Sequence, residues 1–123
     1  FERALALEDA NRLDEAAAAY RRALRLAPDD AALHFNLGNV LLDLGRTPES
    51  AASYRAALRF DPEFVEAWNN LGLIHLHSDH IPAAVHCFLR ALDLVPDYAT
   101  ARWNLSLARQ RRIAGESHGD SPK

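Results

Sequence analysis

Between residues 31 and 44, His34, Leu37, Leu41 and Leu44 recur at intervals of three and four, while Ala32, Asn36, Asn39 and Asp43 fall on the opposite side. Apolar residues at that spacing share one face of an α-helix, so the segment predicts an amphipathic helix. The same pattern returns at 65–78 and 99–113, and a second helical pattern occupies 14–26, 48–60 and 82–94. Residues ahead of 14 read as the last part of one further first helix. Pro48 and Pro82 stand where second helices begin, a position that tolerates a missing N–H. Pro28, Pro62 and Pro96 follow the second helices and stop them. Gly45 supplies the turn inside its helix pair, with Asp79 as its counterpart, a residue that reaches the left-handed region at some cost.

The pattern is a repeat. A shift of 34 residues superimposes Leu37, Leu71 and Leu105; Ala23, Ala57 and Ala91; Pro28, Pro62 and Pro96; and Asn36, Asn70 and Asn104. Tyr20, Tyr54 and Phe88 fall in register as well. Gly38 and Gly72, with the small residues Ser50 and Ala84, suit close approach of two antiparallel helices. A single such hairpin cannot bury its apolar face, whereas a stack of them can. In the last copy, Arg102, Ser106 and Arg109 replace His34, Gly38, Leu41 and Trp68, Gly72, His75, the positions expected to face a second helix. A helix charged on that side caps an array. The predicted organisation is therefore a truncated unit at 1–30, full units at 31–64 and 65–98, a capping helix at 99–113, and a disordered tail at 114–123.

The run Trp68-Asn69-Asn70-Leu71-Gly72, followed by Ala84, Phe88, Ala91 and Pro96, resembles the tetratricopeptide repeat signature. The unit at 31–64 matches in Leu37, Gly38, Tyr54, Ala57 and Pro62 and departs from it at His34 and Ser50. The resemblance implies an all-α, right-handed superhelical solenoid. It also implies that the stripe carrying Asn36, Asn70 and Asn104 lines a concave groove. A carboxamide offers both a donor and an acceptor, so a ladder of them would hold an extended peptide by its backbone. The repeats are similar in this to those of O-linked N-acetylglucosamine transferase. Asn39, Asn69, Phe35, Asp43, Glu66, Leu73 and Trp103 complete the candidate peptide-binding set, with Phe35 and Trp103 as exposed aromatic anchors. Repeat proteins of this kind that clamp acidic chaperone tails need cations; Phe35, Thr100 and Asn104 stand in those places here, which argues against such a ligand.

Charge and chemistry narrow the functions further. The formal net charge of −3 gives no general attraction to nucleic acid or to an anionic membrane. Cys87 is alone, so no internal disulfide can form. His77 and His80 have ligand-like spacing, but the helix is expected to end between them. Gly115, Ser117 and Gly119 match a nucleophile-elbow spacing without the strand that chemistry requires. The expectation is a non-enzymatic scaffold or adaptor without cofactor or metal, binding a protein or peptide, in the cytoplasm. The alternatives are a regulatory or substrate-recruiting module of a larger protein, and self-assembly through open repeat ends exposing Leu5 and Leu7.

Overall fold

A computed structural model describes the backbone of residues 2–119 and the side chains of residues 12–115. Among the described residues the chain is all-helical: α1 (Glu2–Leu26), α2 (Ala31–Asp43), α3 (Thr47–Phe60), α4 (Val65–His77), α5 (Ile81–Leu94) and α6 (Ala99–Gly119). The helices form two compact units, Phe1–Phe64 and Val65–Lys123. In the first, α2 packs on α1 and α3; in the second, α5 packs on α4 and α6. The fold is an all-α helical repeat.

The repeat extends to individual hydrogen bonds. Inside each full hairpin the first helix ends on a left-handed residue, Gly45 (φ 78°) or Asp79 (φ 62°). The following N–H closes the motif, from Arg46 to the Leu41 carbonyl and from His80 to the His75 carbonyl, both at 2.8 Å. After the second helices, Ala27, Asp61 and Val95 donate to the carbonyls of Ala23, Ala57 and Ala91 at 2.8–3.0 Å. Those same three residues then accept from Asp30, Phe64 and Tyr98. The Asp30 carboxylate caps α2 by accepting from the Leu33 N–H at 3.2 Å.

Two helices run further than their periodicity predicts. α1 is continuous where a turn near residue 11 is expected. The devices that break the other hairpins are absent there: Asn11 replaces Gly45 and Asp79, and Asp14 replaces Pro48 and Pro82. Without a forced left-handed residue or a proline, the intrahelical hydrogen bonds carry through. α6 likewise passes Ile113 and reaches Gly119, so residues 114–119 are helical where a disordered tail is expected. Nothing between Arg111 and Gly119 except Gly115 opposes a helix, and one interior glycine costs only about 1 kcal/mol. Residues 120–123 and the side chains of Leu5, Leu7 and Ser117 lie outside the described residues.

Close approach of the paired helices depends on glycine meeting an aromatic ring. A Cβ placed on Gly38 would lie 2.7 Å from a Tyr54 ring carbon, and one on Gly72 would lie 2.5 Å from a Phe88 ring carbon. Both rings are fully buried. Ala17, Leu37 and Leu41 form one core cluster in the first unit, where Tyr54, Ala57 and Leu58 are buried as well. Leu76, Ile81, Ala84, Phe88, Leu105 and Ala108 form one in the second. At the position that Trp68 holds in the next repeat, His34 stacks on Phe60 and bonds the Pro28 carbonyl at 2.8 Å. Trp68 instead meets the His86 ring edge-on and lies under the Arg90 guanidinium, 5.6 Å from its ring centroid.

Candidate partner-binding site

In the second unit the candidate residues lie on α4 and α6. Asn104 on α6 donates from Nδ2 to Oδ1 of Asn69 on α4 at 3.0 Å, and both side chains are buried. This differs from the expected row of reachable carboxamides. Asn104 ties two helices together, with 6% of its surface exposed. Asn69, which has no asparagine in register at 35 or 103, is its partner. Asn70 is half-buried and Glu66 exposed. Leu73 packs against the core formed around Phe88, together with Leu107. Both therefore contribute to the joint between helices. Arg111, further along α6, donates to the Leu76 carbonyl at 3.1 Å.

The first unit presents its own set on α2. Asn36 is half-buried, and its side chain has no hydrogen-bond partner among the described residues. Asn39 accepts the Tyr54 hydroxyl proton at 2.5 Å and so serves the α2–α3 joint. Phe35 is half-buried between Tyr54 and Phe64, 5.7 and 4.6 Å away by ring centroid, and is not the exposed anchor its sequence position suggests. Asp43 is exposed. Trp103, by contrast, keeps 67% of its surface in solvent.

The reactive groups are quiet. Cys87 is buried, and desolvation pushes its thiol up to about 11, so it stays protonated near neutral pH. Burial raises the Tyr98 phenol too, and the charge of Glu66 adds to it. Among the described residues no three His, Cys, Asp or Glu side chains gather as a metal site. His77 ends α4 and His80 precedes α5, so no one helix carries both imidazoles. No helix among the described residues is long and apolar enough to cross a membrane.

These hairpins, with glycine under an aromatic ring and the same turn every 34 residues, define a helical repeat class. The chain belongs to the tetratricopeptide repeat family: one family model matches residues 1–63 and 38–79, and a second matches 65–98. No curated protein matches it. Among solved structures, the crystal structure of MamA is 27% identical with a TM-score of 0.78, covering 81% of this chain and 58% of MamA. This chain thus spans under two thirds of MamA's length. The Arabidopsis OM64 tetratricopeptide domain is 22% identical with a TM-score of 0.78, covering 89% of this chain and 91% of that domain. The first such domain of Spaghetti (RPAP3), bound to the HSP90 peptide SRMEEVD, is 18% identical with a TM-score of 0.80, covering 91% of this chain and 89% of that one.

Proposed function

We propose that the chain is a protein-interaction module whose second unit holds an extended segment of a partner protein along α4, with Asn70 gripping the segment's backbone. The observation that carries this reading is the division of labour among neighbouring asparagines. Asn69 and Asn104 are buried against each other, which fixes the α4 backbone beside Asn70, itself half-buried. A carboxamide has two N–H donors and an oxygen with two lone pairs, so Asn70 can keep a bond within the protein and still offer a donor or an acceptor to a peptide backbone. The Spaghetti domain carrying an HSP90 peptide supports a peptide ligand for this fold. An acidic chaperone tail is disfavoured for this chain, since Phe35, Thr100 and Asn104 supply no cation for a dicarboxylate. Of the two register asparagines in the second unit, Asn70 is the binding residue in this reading and Asn104 has a supporting role.

Phage-displayed peptides selected on the wild-type protein give the test. Asn70→Ala is expected to weaken a selected peptide about fivefold, equivalent to roughly 1 kcal/mol for lost hydrogen bonds, with an unchanged melting curve. Asn104→Ala should instead lower stability by about 1–3 kcal/mol, because it leaves Asn69 buried without its partner. Peptide affinity that survives Asn70→Ala overturns the reading.

A further inference from the structure

On α4 the positions that close its hairpin are Trp68, Gly72 and His75, with the Phe88 ring of α5 set against Gly72. On α6 the equivalent positions are Arg102, Ser106 and Arg109, and all three are exposed. With Leu92 of α5 and with Ala99, Trp103 and Leu105 of α6 they line an open hollow of about 500 Å³. Its floor is apolar and its margin is cationic.

Two observations define what fits it. Ser106 carries the Cβ that Gly38 and Gly72 lack, and a Cβ at either glycine would lie within 2.8 Å of two aromatic ring carbons. A second helix built like α3 or α5, from a further repeat or a second copy of this chain, would therefore have to shift its ring to pack on α6, at a cost in stability. The charges give the second constraint. Between residues 99 and 115, α6 carries Arg102, Arg109, Arg111 and Arg112 and no acidic residue, although the chain as a whole is at −3. The guanidinium groups of Arg102 and Arg109 have no ion pair or hydrogen bond among the described residues. Seven residues apart, they stand two helical turns, or about 10 Å, from each other along the axis. Trp103 adds a largely exposed ring on which an aliphatic stripe can lie.

We propose that the α5–α6 hollow docks an acidic amphipathic helix of a partner protein. The helix sets its apolar stripe on Leu92, Ala99 and Trp103 and places two carboxylates, one heptad apart, opposite Arg102 and Arg109. Carboxylate–guanidinium pairing at the rim of an apolar floor fixes the register of such a helix. This site is separate from the α4 face and does not depend on the reading given for Asn70.

The probe is a 15-residue helical peptide with a leucine stripe and glutamates at i and i+7, compared with a twin bearing lysines at those two places. Both are titrated into ¹⁵N-labelled protein. The acidic peptide is expected to shift the amides of residues 99–109 and of Leu92, and to bind at least tenfold more tightly than its twin. In the double variant Arg102→Glu, Arg109→Glu, with both changes on an exposed face, the preference should reverse. Equal binding of the two peptides, no binding of either, shifts centred on Asn70, or an unreversed preference in the double variant each overturns the proposal.

Discussion

The hairpins α2–α3 and α4–α5 share a backbone and differ in what fills the joint between their helices. In the first, the ring over glycine is Tyr54, whose hydroxyl donates to Asn39, while the Ser50 hydroxyl donates to the Gly38 carbonyl at 2.7 Å. In the second, Phe88, Leu73 and Ala84 occupy the same three places, and Leu73 and Ala84 join the apolar cluster around Phe88. Closeness of the helices is common to both and comes from glycine. The polar bonds form a set, since a hydroxyl at position 88 would need an acceptor at position 73. A buried polar group without its partner is worse than an apolar one, so the joint is stable as either complete set.

The largest effect should come from emptying the joint. Phe88→Ala is expected to lower unfolding free energy by about 3–5 kcal/mol in a urea titration, the range for deleting a fully buried aromatic ring. A loss below about 1 kcal/mol would mean that the second hairpin is not held by this ring. Next in size is overfilling. Gly72→Ala and Gly38→Ala should each cost about 1–3 kcal/mol, even though alanine in a helix interior ordinarily gains up to about 1 kcal/mol over glycine. Phe88 stands nearer its glycine than Tyr54 does, so Gly72→Ala should be the worse of the two. A stabilised variant at either position would show that the ring withdraws freely and that close approach is not what glycine is there to secure.

Much of this architecture is legible in the sequence because it rests on local devices. Gly45, Asp79, Pro48 and Pro82 act within a few residues of themselves, and the 34-residue register multiplies their signal. The boundaries that escaped are those where such devices are missing. Asn11 and Asp14 do not compel a turn, so α1 runs through, and α6 continues past Ile113 without a proline to stop it. The candidate site was less legible. Register comparison links Asn70 to Asn104 at 34 residues, whereas the bond forms between Asn69 and Asn104 at 35. An offset of one position turns a side chain by about 100° on a helix, so a register row does not identify which of two adjacent asparagines faces the neighbouring helix. Phe35 misled for a similar reason: its partners Tyr54 and Phe64 come from other elements, and no repeat offset joins them to it.

The smallest effect is the most discriminating. Tyr54→Phe removes one hydroxyl and should cost about 1 kcal/mol, the usual net worth of a buried hydrogen bond. The converse change, Phe88→Tyr, should cost about 1–3 kcal/mol, because its hydroxyl would face Leu73 with no acceptor. Leu73→Asn alone gives up apolar packing around Phe88. Together the two changes recreate the pair present in the first hairpin. Their combined loss is therefore expected to fall short of the sum of the single losses by about 1 kcal/mol, as a favourable coupling in a double-mutant cycle. Strict additivity would mean that the tyrosine–asparagine bond depends on features of α2 and α3 beyond these positions. The two joints would then not be interchangeable solutions of one geometry.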